Sequence, residues 1–368
     1  MKKLYRKSRE YLSLFSLVMI ALTVISTILF IIVRSSTKFA DFFNYNLSAP
    51  IRQITAYLTT WIPFSLAEIL IIISPIWFGI LIYFAVKNAK KGIKPTVKYL
   101  SVIIGIVLYV FVSFIWTYSS GFYTTTIDKK LELDKESIND TDIYNTSVEI
   151  VENLNDLANQ ITFDEKGASV MSYDSYRELS KKICQAYEVY ESKHEIIRTF
   201  DSSIKPILLS EPMTYTHISG IYTFMTGEGN VNINYPDFIV VTSAAHELSH
   251  QRGVAREDES NFTAFIVLIN SDDPYLQYSA YLDVYSTVLK ELYSINKDQY
   301  KEVVSKLDKR VLGDLECYSE FFKKYADSKA SDISDKINDS YLQANGQENG
   351  TKSYNMIVEL VCAYLKKY

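Results

Sequence analysis

Three strongly apolar stretches occupy the first third of this 368-residue chain and constrain its fold more than any other feature. They cover residues 12–33, 62–86 and 99–117, and each is close to the roughly 20 residues that a helix needs to cross a bilayer. The only charge well inside them is Glu68, which lies near one end of its stretch, where a carboxyl group can reach the lipid–water interface. The first stretch is too long for a signal peptide, and no small-residue cleavage site follows it. We therefore predict three transmembrane helices, the first of which anchors the chain.

The basic residues that flank these stretches predict how the chain crosses the membrane, because cytoplasmic segments carry an excess of lysine and arginine. Five basic residues precede the first stretch and five lysines lie within residues 87–98, whereas residues 34–61 contain only three basic residues. This pattern places the N-terminus in the cytoplasm and the chain after about residue 119 outside. We expect a multi-pass cell-membrane protein, with a membrane domain at residues 1–118 and an extracytoplasmic domain at residues 119–368.

Charge and cysteine content exclude two classes of function. The net charge is −5, and no basic patch of the kind that nucleic-acid-binding proteins carry is present. The three cysteines, Cys184, Cys317 and Cys362, lack the short spacings of a metal cluster or a redox pair. One disulfide can form in an oxidising compartment, but the interpretation we favour is three small buried side chains.

The sequence His246-Glu-Leu-Ser-His250 carries the chemistry expected of the C-terminal domain. On a helix these two histidines lie one turn apart on the same face, so both imidazoles can bind one metal ion. Glu247 lies about 100° further round the helix, where it can reach a metal-bound water without being a ligand. This is the arrangement of zinc metallopeptidases, in which zinc lowers the pKa of the water and the glutamate accepts its proton. Since the chain has only four histidines, a chance pattern on a surface helix is the weaker interpretation.

A catalytic zinc site needs a third protein ligand, and two glutamates are candidates. Gly253 is expected to end the histidine helix in a left-handed conformation, and a second helix is expected over about residues 255–270. Acidic residues in its first turn would complement the helix dipole in any case. The face that continues from Glu257 is mostly apolar and should point into the domain, whereas the face of Glu259 is mixed. We therefore predict Glu257 as the ligand, with Glu259 as the alternative, and Asn261 as a hydrogen-bond partner that orients a ligand histidine.

Two further features are candidates for binding a substrate. One segment alternates polar and apolar residues, as a strand with one wet face does, and a substrate peptide can pair with the free edge of such a strand. An ordinary edge strand of a small sheet explains this pattern equally well. Tyr281 can donate a hydrogen bond to an oxyanion, although packing is the commoner role of such a tyrosine. The alternating segment comprises Asn230, Val231, Asn232, Ile233 and Asn234.

Taken together, these motifs resemble known protein families. The pair His246-Glu-Leu-Ser-His250 and Glu257-Asp-Glu-Ser-Asn261 is similar to the two site helices of gluzincin metallopeptidases, with asparagine where many families have aspartate. The fuller set of motifs resembles DUF3810, a bacterial family of uncharacterised membrane proteins with three membrane spans and a presumed zinc-peptidase domain. The resemblance covers nearly the whole chain and implies a metallopeptidase-like fold, but it supplies no substrate. The matching segments are residues 226–232, 244–253, 257–262 and 338–347, the last of which is expected in a polar loop near the cleft at residues 338–352.

The site departs from better-known families in two ways. Only six residues separate His250 from Glu257, which is fewer than the usual gluzincin spacer. Arg256 stands where metzincins have their third histidine, and arginine stays protonated and cannot bind zinc. The third ligand is therefore the least constrained part of the predicted site.

The predicted fold is mainly α, with three N-terminal transmembrane helices and an α+β zincin-like metallopeptidase domain that contains a small sheet. The predicted function is peptide-bond hydrolysis outside the cytoplasmic membrane, with Zn²⁺ as cofactor and Glu247 as general base. The expected partners are a peptide or protein substrate and the lipid bilayer, and not nucleic acid. The alternative is a non-catalytic membrane sensor or assembly factor that binds a peptide or a cell-envelope ligand. The intact Glu247 counts against that alternative, because a pure binder has no use for a base beside the metal.

Overall fold

The computed structural model describes residues 9–347 and 357–368, which form a mainly helical protein with two small sheets. This confirms the predicted helical class. The first part of the chain forms α1 (Leu14–Ser35), α2 (Thr37–Phe43), a π-helical turn (Asn44–Ser48), α3 (Ala49–Thr60), α4 (Leu66–Ile72), α5 (Ser74–Ala89) and α6 (Ile93–Thr117). The C-terminal region, residues 119–368, contains the 3-10 turns Ser119–Tyr123 and Lys135–Ser137, the strands β1 (Thr162–Phe163), β2 (Ser169–Val170), β3 (Lys205–Pro206), β4 (Gly220–Thr223) and β5 (Glu228–Val231), and the helices α7 (Ile127–Lys130), α8 (Asp140–Leu157), α9 (Tyr176–His194), α10 (Ser210–Thr214), α11 (Asp237–Arg252), α12 (Glu257–Ile269), α13 (Pro274–Ile295), α14 (Lys297–Ser305), α15 (Lys309–Lys323), α16 (Lys329–Ala344) and α17 (Ile357–Lys367).

Within the part of the chain that the structure describes, two single helices, α1 and α6, are long and apolar enough to cross a membrane. They run parallel to each other. The hydroxyl of Ser16 donates to the carbonyl of Ser101 near their starts, and the indole N–H of Trp116 donates to Ser26 further along both helices. Because parallel neighbours need a return connection, the chain between them must travel back along the pair, and α4 and α5 provide this path.

The second predicted span, residues 62–86, is not one straight helix. It divides at Ile73 into α4 and α5, which meet at an angle of 55°. Pro75 lies in the first turn of α5 and has no N–H to continue the hydrogen bonds of α4, which explains the break. The prediction of three transmembrane helices is therefore corrected to two single helices, with a third crossing only if the bent pair acts as one span.

Buried charges join the helices of the first part to the C-terminal region. The carboxylate of Glu68, expected to reach an interface with water, instead accepts the backbone N–H groups of Leu208 and Leu209 at 2.9 and 2.7 Å. In the opposite direction, Glu228 accepts two N–H groups from the first turn of α4, both at 3.1 Å. Arg52 donates to the carbonyls of Thr117 and Arg252, which end α6 and α11. Each charge satisfies backbone groups that a helix end or a turn leaves without partners.

The core of the C-terminal region surrounds α11. This helix packs between α12 and α13 on one side and strands β4 and β5 on the other, while α8, α9 and α17 complete the helical layer. The three-stranded sheet has the order β3-β5-β4, with β5 parallel to β3 and antiparallel to β4. Cys184 and Cys362 are buried free thiols, as predicted, whereas Cys317 is only partly buried.

The loop predicted at residues 338–352 is partly helical. Residues 338–344 form the end of α16, whose N-terminus is capped by the side chain of Ser328. Tyr341 of this helix packs its ring against Phe114 and Phe122, which a solvated polar loop would not do. Residues 348–352 lie outside the described residues.

Burial of Glu191, near the end of α9, makes stability depend on pH. Burial raises the pKa of this carboxyl to about 7, although the N–H groups of Ile197 and Ile196 and the charges of Lys130 and Arg252 oppose the shift. The native protein therefore holds this proton more tightly than the unfolded chain, so the stabilisation is complete below the unfolded pKa and is lost as pH rises through about 7.

We expect the unfolding temperature of the detergent-solubilised protein to fall between pH 5 and pH 8, and Glu191→Gln to remove part of that fall. The part removed corresponds to at most about 3 kcal/mol. Glu188→Gln, on the exposed side of the same helix, is the matched control and should leave the pH dependence unchanged. An equal fall in the wild type and Glu191→Gln would contradict the assignment.

Candidate metal centre

The turn between α11 and α12 sets the geometry of the site. Gly253 ends α11 with a φ of +100°, a left-handed conformation that glycine adopts without strain. The chain then reverses over Val254 and Ala255, and α12 begins at Glu257. This short connection, predicted from the glycine, brings the first turn of α12 back over the histidine face of α11.

Three side chains from these two helices converge on one point. The Nε2 atoms of His246 and His250 lie 2.9 Å apart, and Oε2 of Glu257 lies 3.1 Å from the first and 3.5 Å from the second. Donor atoms around a tetrahedral ion with bonds of 2.0–2.1 Å are separated by about 3.3 Å, and the three distances bracket that value. His246, His250 and Glu257 can therefore hold a metal ion.

The hydrogen bonds of the imidazoles direct their lone pairs toward this point. Nδ1 of His250 lies 2.8 Å from the carbonyl oxygen of Val254, and Nδ1 of His246 lies 2.7 Å from Oδ1 of Asn261. A carbonyl oxygen only accepts hydrogen bonds, so each Nδ1 carries the proton and each neutral imidazole presents a lone pair at Nε2. Asn261 thus takes the position predicted for it, beside a candidate ligand.

A match to a known family extends over most of the chain. The model of the family described as "Protein of unknown function (DUF3810)" matches residues 43–362. The chain belongs to the DUF3810 family. No curated protein and no solved structure matches it. The predicted family resemblance is confirmed, and the chemistry of this DUF3810 protein has to be argued from its own residues.

Glu259, the alternative third ligand, does not join the candidate ligand group. Its carboxylate pairs with Arg256 at 2.8 Å and accepts the backbone N–H of Ile127 at 3.0 Å. Glu259 therefore attaches the start of α12 to α7. Glu257 instead faces the two imidazoles. Burial acts to raise the pKa of its carboxyl, but the positive charge and the hydrogen bond that His250 and His246 supply when they are protonated outweigh burial and lower it.

Glu247 lies beside the ligand group with one carboxylate oxygen free. The side chain is buried against β4, where a Cβ atom added at Gly220 would lie 2.5 Å from its Oε1. Among the described residues, its Oε2 has no hydrogen-bond partner. Burial raises the pKa of Glu247 to about 8, helped by the charge of Glu257 and opposed by His246 and the N–H of Tyr222. In its ionised form, this carboxylate has a free oxygen with which it can accept a proton.

The segment predicted to pair with a substrate has no free edge. Asn230 and Val231 belong to β5, the central strand, which is paired on both sides in the DUF3810 chain. Asn232, Ile233 and Asn234 follow the strand and bond to residues such as Thr214 and Ser210. A strand is present, but of the predicted segment only Asn230 and Val231 belong to it, and it has no wet face because all four residues of β5 are buried. The hairpin at Thr226 and Gly227 folds β4 onto the side of β5. The edge strand beside Glu247 is therefore β4 and not the predicted segment.

Of two tyrosines, Tyr281 and Tyr118, only Tyr118 contacts a candidate metal ligand. Tyr281, the candidate oxyanion donor, is 8% exposed and packs against Phe265 at 5.8 Å between ring centroids, so the structure does not bring it to the ligand group. Tyr118 was missed, yet its hydroxyl lies 3.0 Å from Nδ1 of His250. A residue 132 positions away in sequence leaves no local pattern that would reveal such a contact.

Asn261 gives a direct test of how the imidazoles are oriented. Replacing Asn261 with alanine should weaken metal binding by about 10- to 100-fold, the usual effect of removing a hydrogen-bond partner of a ligand histidine. Asn261→Asp should bind at least as tightly as the wild type, because a carboxylate accepts the N–H of His246 more strongly than an amide does. Competition with a chromogenic chelator measures both affinities. Equal losses in the two variants would show that Asn261 acts only through packing.

Proposed function

We propose that this DUF3810 protein is a membrane-anchored zinc metallopeptidase that cuts peptide bonds on the outer side of the cytoplasmic membrane. The observation that carries the proposal is the convergence of two imidazole nitrogens and one carboxylate oxygen beside the free oxygen of Glu247. Two nitrogens and one oxygen are the donor set of one common class of catalytic zinc site.

Each residue has a defined task in this proposal. When bound, zinc would lower the pKa of a water molecule and polarise the scissile carbonyl. Glu247 accepts the proton of the attacking water at its carboxylate and delivers it to the leaving amine. Asn261 and the carbonyl of Val254 hold the two imidazoles in position. β4 forms an edge of the sheet, where an extended substrate can pair with backbone groups other than the N–H of Tyr222, which donates to Glu247.

The sidedness in the proposal has two supports. The parallel course of α1 and α6 implies that the N-terminus and the C-terminal region lie on opposite sides of a membrane that both helices cross. The basic residues before the first span and within residues 87–98 favour the cytoplasm for those segments. The C-terminal region would then face outward.

The test uses the full-length protein purified in detergent. We expect one zinc ion per chain and cleavage within a peptide library, with loss of cleavage on adding a chelator and recovery on adding zinc. Absence of bound metal would remove the proposal. Metal binding without cleavage of any peptide would favour the alternative of a non-catalytic sensor or assembly factor, against which the free carboxylate of Glu247 now argues.

A further inference from the structure

We infer that the substrates are polypeptides anchored in the same membrane and cut within a few residues of its surface. This inference rests on the proposed function and adds the class of substrate to it. Three features of the structure carry it: the distance of the site from the end of α6, the side chains between them, and the apolar surface around them.

The residue that follows the last residue of α6 is in direct contact with a candidate metal ligand. Tyr118 follows the last residue of α6 and contacts His250, with its hydroxyl 3.0 Å from Nδ1. The apolar run at residues 99–116 rises about 27 Å as a helix, close to the roughly 30 Å of a hydrocarbon core. This length places Tyr118 at the level of the lipid headgroups, and the ligand nitrogen of His250 lies across one imidazole ring from the nitrogen that Tyr118 contacts.

Aromatic side chains fill the space between the site and the end of α6. Phe114, in the last turn of α6, contacts Phe224 and Tyr341 with centroid distances of 5.4 and 6.4 Å. Tyr118 contacts Tyr222 of β4 at 5.4 Å. These ring contacts join the end of α6 to β4, the strand against which Glu247 is buried.

Exposed apolar side chains lie around the junction between α3, α4 and the C-terminal region. Leu58 and Trp61 are 71% and 78% exposed, and Leu208 and Leu209 are 69% and 49% exposed. Glu68 fixes the two leucines beside α4, and Lys205 binds the carbonyls of Thr59 and Ile62 next to Trp61. Clustered exposed leucine and tryptophan at the end of membrane helices is the composition of an interface with lipid.

These features determine which chain can reach the site. The charged residues Arg256, Glu257 and Glu259 exclude the site from the hydrocarbon core, so a transmembrane helix cannot be cut within the bilayer. A substrate segment just outside the bilayer can be extended and lies at the depth of β4. Its membrane anchor confines it to a thin layer at that depth. This confinement raises its effective concentration at the site without any new contact.

The first test compares three substrates with one shared cleavable sequence, using the full-length protein in liposomes. One substrate is soluble, one is joined to a transmembrane anchor by about 3 residues, and one is joined by about 25 flexible residues. We expect the short-spacer substrate to be cut at least about tenfold faster than the soluble one, with the long-spacer substrate between them. Equal rates for all three would overturn the inference and leave the proposed peptidase standing, whereas cleavage of none would overturn both.

The second test measures depth without any catalysis. A spin label at Ile221→Cys, on the exposed part of β4, is placed in a Cys317→Ser background, since Cys184 and Cys362 are buried. In liposomes we expect its signal to respond more to oxygen, which partitions into lipid, than a label at Tyr293→Cys near the end of α13. Equal response to a water-soluble relaxation agent at both positions would place β4 in bulk water and overturn the inference.

Discussion

Replacing Glu257 with alanine is expected to remove the metal ion, whereas Asp258→Asn, one residue further along the same turn, should keep one ion per chain. Only Glu257 of this turn brings an oxygen to the two imidazoles, 3.1 and 3.5 Å from their Nε2 atoms. Loss of a hydrogen-bond partner of a ligand costs about 10- to 100-fold in affinity, so loss of a ligand itself should cost more than about 100-fold. Metal analysis of the full-length protein after dialysis measures the difference.

A variant at Glu259 is the control that distinguishes loss of a metal ligand from loss of stability. Glu259→Gln breaks a buried ion pair with Arg256, and leaving one partner unpaired costs about 3–5 kcal/mol. We therefore expect Glu259→Gln to unfold at a lower temperature and to keep its metal. Glu257→Ala should show the opposite result, with a fold that circular dichroism finds intact and with no bound metal. Metal retained at wild-type affinity in Glu257→Ala would place the third ligand elsewhere.

Replacing Glu247 with glutamine is expected to abolish peptide hydrolysis while the metal stays bound. Glutamine has nearly the same shape and can occupy the space against Gly220, but its amide cannot accept the proton of water. Removal of a general base lowers the rate by about 10²- to 10⁴-fold. The measurement pairs zinc content with the cleavage rate on the same preparation.

Gly220→Ala is the companion variant for this prediction. The added Cβ would lie 2.5 Å from Oε1 of Glu247 and must displace the carboxylate, so the rate should fall while the base itself is still present. The metal content should remain at the wild-type value in both variants. An unchanged rate in Glu247→Gln with zinc bound would show that the carboxylate is not the base.

The features predicted correctly from sequence are those that depend on neighbouring residues. Four-residue spacing on a helix places His246 and His250 on one face whatever surrounds them. Gly253 ends α11 because the left-handed conformation there favours glycine, and the turn that follows delivers Glu257. Glu257 does lie with the two histidines, but the apolar face of α12 is not the reason, because Glu259 and its face, with Thr263 and Ile266, are buried as well. Glu259 is kept away from the imidazoles by its ion pair with Arg256.

The features that were wrong or missed depend on contacts between distant segments. Whether β5 is an edge or a central strand is decided by β3 and β4 pairing on its two sides, and an alternating pattern is the same in both cases. The contact of Tyr118 with His250 exists only because α6 ends against α11.

By itself, the sequence of this DUF3810 protein determined its helical class, its apolar helices and the two histidines with their glutamate, because helix period, hydrophobicity and capping act over a few residues. Only the tertiary structure decided the edge strand beside Glu247, the partner of Glu259 and the closeness of the site to the end of α6. Those features arise from packing between segments that are not adjacent in the sequence, such as Tyr118 with His250 and Ile127 with Glu259, each pair 132 positions apart.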